Sequence, residues 1–148
     1  MEARYAPRRL GLDALIRALT DEHAVMKAGL QRAEEAAKAG DFEGVSRALR
    51  EIDPVFRQHI ADEEATVLGL LIKTLGVKGA ESEILVFRQH RPIYRLMERV
   101  AELAKRSAVE LRASQLELDA LFDEHTRAEE ELVFPKALRL RSGGPGGG

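Results

Sequence analysis

Residues 58–65 read QHIADEEA and residues 124–131 read EHTRAEEE. In each string a histidine (His59, His125) is followed four residues later by a glutamate (Glu63, Glu129) and then by a second one (Glu64, Glu130). On an α-helix a four-residue offset stacks side chains on one face, so each imidazole and the first glutamate after it point the same way. With 18 glutamates in 148 residues, the pattern following two of four histidines by chance is roughly a one-in-a-thousand event. The flanks are helical in period. His59 continues the row Ile52, Phe56, Val67, Leu70, and His125 continues Leu118, Phe122, Leu132.

Working outward, the whole chain reads as helix. Ala, Glu, Lys, Leu and Arg supply 82 of the 148 residues, Trp and Cys are absent, and Val and Ile are sparse. This composition favours long helices over a sandwich or a doubly wound sheet. Four amphipathic stretches are expected, over residues 12–39, 42–75, 81–105 and 109–138. Gly40 breaks the first, and Asp41 is placed to cap the second. Gly76 and Gly79 make the next turn, and Ser107 opens the last connection. Pro54 is expected to kink the second helix, Pro92 to remove a donor inside the third, and Pro135 to kink or end the fourth. Short loops between four such helices predict an all-α, antiparallel, up-down-up-down four-helix bundle. It would occupy residues 11–141, after an N-terminal arm (1–10) that reads as solvated or loosely docked and before a flexible Gly-rich tail (142–148, SGGPGGG).

The formal net charge of −2 argues against a generally basic nucleic-acid binder. Without cysteine there is no disulfide framework, thiolate zinc site or cysteine nucleophile. No apolar run approaches the roughly 20 residues of a membrane span, and no signal peptide is read, so a cytoplasmic protein is expected. No Ser/His/Asp set or Gly-rich phosphate loop stands out.

The chain has four histidines, His23, His59, His90 and His125, one per expected helix. Counted from the turns at Gly40, Leu75 and Ser107, they lie 17 before and 19 after the first, 16 before and 15 after the second, and 17 before and 18 after the third. At 1.5 Å per residue these heights match to about 3 Å. His23 extends the row Ile16, Leu19, Met26, Leu30, and His90 extends Ile84, Phe87, Met97, so both face inward. The halves also repeat: His23 to His90 is 67 residues and His59 to His125 is 66. Buried unpaired charges cost several kcal/mol each, so such a layer calls for cations, although surface His–Glu pairs or a metal-free polar layer also fit the spacing. Mixed nitrogen and oxygen donors without thiolate suit iron or manganese better than structural zinc.

His23, His59-x-x-x-Glu63, His90 and His125-x-x-x-Glu129 resemble the hemerythrin-like (HHE cation-binding) family, over Leu12 to about Leu140. The resemblance implies two non-haem iron ions joined by an oxo or hydroxo bridge, with manganese as an alternative. It also implies binding of dioxygen or a related small molecule (peroxide, nitric oxide) for sensing, storage or detoxification. A di-iron redox enzyme of catalase, peroxidase or nitric-oxide-reducing type needs the same ligands, and a metal-poor interaction bundle is the third reading. Hemerythrins proper carry a further histidine four residues after the third-helix one; here Tyr94 stands there. It is either a core aromatic or a phenolate ligand. By the family pattern His90, His125 and Tyr94 share one iron, and the iron on His23 and His59 keeps the open position. A phenolate favours ferric iron, which weakens the oxygen-carrier reading. Lys27, at the matching place after His23, reads as a surface lysine or a donor to bound peroxide. Glu22, Glu64, Glu124 and Glu130 read as solvated or as partners of the histidines.

Overall fold

The computed structural model describes residues 5–107 and 109–142. Every regular element among them is helical: α1 (Leu12–Lys38), α2 (Phe42–Asp62), a π-helical segment (Glu63–Val67), α3 (Leu68–Gly79), α4 (Glu81–Arg88), α5 (His90–Lys105), α6 (Leu111–Ala128), a second π-helical segment (Glu129–Val133) and α7 (Phe134–Ser142). α2 runs through the first π segment into α3, and α6 through the second into α7, so the elements form four rods as the periodicity predicts. α1 packs on α2 and α6, and α5 packs on the same two, so each long rod has two neighbours. The expected Gly-rich tail lies outside the described residues from position 143 onward.

Local chemistry explains the rod ends. Asp41 accepts a hydrogen bond from the Gly44 backbone N–H at 2.9 Å and caps α2. Gly40 and Gly76 turn the chain with φ of 73° and 76°, which glycine adopts without strain. Gly29 serves packing instead: a Cβ there would sit 2.5 Å from Ile52 Cγ1, so its lack of a side chain lets α1 approach α2 closely.

The three prolines sit at different points of their rods. α2 continues as regular helix through Pro54. The third rod is interrupted at Gln89, between α4 and α5, which places Pro92 in the first turn of α5, where a proline is best tolerated. Pro135 does not end the last rod, since α7 carries on to Ser142.

The core has two apolar clusters. One holds Met26, Leu30, Leu49, Ile52, Phe56, Ile93, Met97, Leu118 and Phe122. The other holds Leu15, Leu19, Val67, Leu71, Phe87, Val133 and Phe134. Leu132, expected inside, is 41% exposed, whereas Val133, Phe134 and Ala137 are buried. The π segment supplies the reason: its wider turn takes up an extra residue and advances the phase of everything after Glu129.

Between α1 and α6 the carboxyl groups of Asp119 and Glu34 line one cleft. Partial burial pushes the Asp119 carboxyl up to about 7, helped by its hydrogen bond with Glu34 and by the charge of Asp123. The same hydrogen bond, with nearby Arg112, holds Glu34 below the usual range. The folded chain therefore keeps a proton that the unfolded chain releases near pH 4, and stability falls as pH rises from about 4 to about 7. Asp119→Asn should flatten part of that fall and stabilise the protein at pH 8 by about 1 kcal/mol after solvent screening, with little change at pH 4. Urea denaturation of both proteins across pH 4–8 measures this; parallel pH profiles would contradict it.

Candidate metal centre

The four histidines lie where the two apolar clusters meet. Along each rod the imidazole is flanked by a residue of one cluster and a residue of the other: Leu19 and Met26 around His23, Phe56 and Val67 around His59, Phe87 and Ile93 around His90, Phe122 and Val133 around His125. All four are buried, and Glu63 and Glu129 are fully so. The histidines form two pairs. His23 and His59 have ring centroids 4.9 Å apart, and His90 and His125 are 4.8 Å apart. Phe134 stacks on His23 and Phe87 on His90, which fixes the ring planes.

Both glutamates reach from one pair to the other. Glu63 turns Oε2 to His59 Nε2 (3.1 Å) and Oε1 to His90 Nε2 (2.7 Å). Glu129 turns Oε1 to His23 Nε2 (2.9 Å) and His59 Nε2 (3.9 Å), and Oε2 to His125 Nε2 (3.2 Å) and His90 Nε2 (3.7 Å). Two overlapping groups result, His23–His59–Glu63–Glu129 and Glu63–His90–His125–Glu129, in each of which the donor atoms lie within 4.8 Å of one another. The six residues read from the sequence are therefore brought together, and the donors fit a pair of cations. The Nε2 atoms of His59, His90 and His125, both oxygens of Glu63 and Oε2 of Glu129 have no hydrogen-bond partner despite complete burial. Buried polar atoms left unmatched in this way are costly without a cation between them.

The opposite ring nitrogens are all engaged. Nδ1 of His23 donates to Glu130 Oε2 (2.6 Å), that of His59 to Glu22 Oε1 (2.9 Å), that of His90 to Glu64 Oε2 (3.0 Å) and that of His125 to Gln89 Oε1 (3.0 Å). The acceptors assign a proton to Nδ1 and turn Nε2 inward in every ring, toward Glu129 Oε1 in His23 and without a hydrogen-bond partner in His59, His90 and His125. Glu22, Glu64 and Glu130 are thus partners of histidines, while Glu124 is exposed. Gln89 went unnoticed in the sequence. The 67-residue offset that relates His23 to His90 also relates Glu22 to Gln89, and that offset was the available signal.

Of the expected N-terminal arm, residues 1–4 lie outside the described residues, and the described part docks here through Ala6 and Arg8. Arg8 donates its backbone N–H (2.6 Å) and Nε–H (2.7 Å) to the fully buried Asp62, and its Nη1 lies 2.9 Å from Glu22 Oε2. Gln58 Nε2 also donates to the Ala6 carbonyl (2.8 Å). The arm therefore holds the carboxylate that holds His59.

Burial by itself opposes charge on these groups, and mutual pairing overrides it. Although burial disfavours the imidazolium, the surrounding carboxylates hold His59 and His90 well above the ordinary histidine range, and His23 is raised also. Burial likewise opposes the Glu129 carboxylate, but its hydrogen-bonded neighbours hold it well below the usual range.

Tyr94 lies one turn beyond His90 on α5. Its ring stacks on Phe56 with centroids 6.2 Å apart, and Arg57 Nη2 donates a hydrogen bond to its hydroxyl. Lys27 is 55% exposed and pairs with Asp123 at 3.4 Å. A surface cleft of about 440 Å³ is lined by Glu64, Phe87, Arg88, His90 and Arg91.

Residues 1–71 match the family model of the hemerythrin HHE cation binding domain, a stretch that includes His23, His59 and Glu63. No curated protein and no solved structure matched the chain.

Arg8→Ala should lower stability by about 2 kcal/mol by leaving Asp62 charged and poorly partnered in the interior. Asp62→Asn should cost much less in that background than in the intact protein, and urea denaturation of the four proteins of the cycle measures this coupling. Strictly additive effects would show that the arm is not held by this pair.

Proposed function

We propose that this chain holds two iron ions between its four rods and through them binds dioxygen or a related small molecule, peroxide or nitric oxide, for sensing, storage or detoxification. The reading rests on one observation above all. Each of two fully buried carboxylates turns one oxygen to each histidine pair, as a carboxylate bridge between two ions requires. The match of residues 1–71 to the HHE cation binding domain supports it. His23 and His59 would hold one ion, His90 and His125 the other, and Glu63 and Glu129 both. Manganese suits the same donors.

An iron pair, when bound, supplies the electrons that dioxygen chemistry needs. The chain's own residues orient the imidazoles through Nδ1 and keep water away with an apolar cluster on either side, and the ion on His23 and His59 would keep the open position for a small molecule. Tyr94 stays in the proposal as a phenolate donor, its hydroxyl positioned by Arg57. An antiparallel, up-down-up-down course of the rods also belongs to it. That course is supported by paired positions such as Glu22 with His59 and Gly29 with Ile52, in which residue numbers rise on one rod as they fall on the next.

Metal analysis after anaerobic loading should find two irons per chain, and Glu63→Ala or Glu129→Ala should lose most of both. On oxygen titration of the reduced protein, a reversible oxygenated spectrum would select storage or carriage of dioxygen. Rapid oxidation with turnover of added peroxide would instead select a redox enzyme, and well-folded protein that takes up neither iron nor manganese would leave a helical interaction bundle. Tyr94→Phe should abolish a ferric–phenolate band in the visible; a spectrum unchanged by that substitution refutes ligation by Tyr94.

A further inference from the structure

The residues behind the histidines obey the same internal repeat as the histidines themselves. Glu130 backs His23 as Glu64 backs His90, across an offset of 66 residues. Glu22 backs His59 as Gln89 backs His125, across an offset of 67. Three of these four acceptors are carboxylates and the fourth is an amide. The approximate two-fold symmetry of the centre is therefore broken in charge where Glu22 has Gln89 as its counterpart.

We propose that this difference makes the two halves of the centre unequal, with Gln89 setting the His90/His125 half as the weaker and later-filled metal position. The inference rests on the reading of the six buried donors as ligands. An imidazole that donates Nδ1–H to a carboxylate is drawn toward imidazolate, and its Nε2 becomes a stronger donor to a cation. An amide oxygen accepts the same hydrogen bond without bringing a negative charge. The His23/His59 half has two such carboxylates behind it, and the His90/His125 half has one.

Arg8 does not cancel the difference. Its guanidinium is shared between Glu22 and the buried Asp62, so the three side chains together still carry a net negative charge. The Gln89 side chain itself carries no charge. Gln89 sits between α4 and α5, and its Oε1 reaches across to His125 on α6. It is a positioning residue: it reaches a metal only through His125.

The experiment titrates manganous ion into the metal-free full chain and into its Tyr94→Phe variant, in which no phenolate can strengthen the His90/His125 half, and reads the free ion by electron paramagnetic resonance. Two separable binding steps are expected. His125→Ala should remove the weaker step and His23→Ala the tighter one. Gln89→Glu should tighten the weaker step by about tenfold, and Glu22→Gln should loosen the tighter step by a similar factor. The exchange variant carrying both substitutions keeps the net charge and should reverse which histidine pair fills first, which neither a general charge effect nor a purely structural role would do.

Equal steps in the intact protein, or an exchange variant with an unchanged order of filling, would overturn the inference. If Gln89→Glu fails to fold, a tighter step unmoved by Glu22→Gln overturns it on its own. Intact protein that takes up no ion at all would bring down the metal-centre reading itself, a result distinct from two ions bound without preference.

Discussion

Two carboxylates with no access to water, facing four imidazole nitrogens across the middle of a helical bundle, are the constraint on which the rest of the structure depends. A charge in that position is tolerated only when matched. The chain matches it in two ways. From inside, the Nε2 atoms converge on Glu63 and Glu129, where cations can take the place of protons. From outside, Glu22, Glu64, Gln89 and Glu130 hold each ring by its other nitrogen. The apolar clusters above and below then serve a second purpose besides stability. They keep the local dielectric low, so that every interaction within the layer is stronger than it would be in water.

The π-helical segments are the backbone's contribution to this arrangement. Each begins at an inward glutamate, Glu63 or Glu129, and is followed by a return to α-helix. The wider turn lets one carboxylate face the layer while the next residue, Glu64 or Glu130, swings out far enough to meet a histidine of a different rod. The doubled glutamate of the two opening strings is thereby explained. The first of each pair spans the two histidine pairs, and the second orients a ring contributed by the other half of the chain.

Much of the centre was legible because helix geometry is local. His59 with Glu63 and His125 with Glu129 share a face by spacing alone, and the turns at Gly40, Gly76 and Ser107 set the heights of all four histidines. Leu132 was misplaced for the converse reason, since an ideal period cannot anticipate a wider turn that shifts the phase. The docking of Arg8 was equally invisible, because its partner Asp62 is 54 residues away and nothing near either residue signals the pairing.

The amino-acid sequence by itself determined four amphipathic rods, their order and lengths, and a single level of histidine and glutamate within them, because each of these follows from spacing along one helix. Only the tertiary structure decided which carboxylate backs which ring, that both buried glutamates reach from one histidine pair to the other, and that the arm closes over Glu22. Those are contacts between rods. Their geometry depends on how close α1 comes to α2 at Gly29 and on where the helix widens after Glu63 and Glu129, and only the packed chain specifies either.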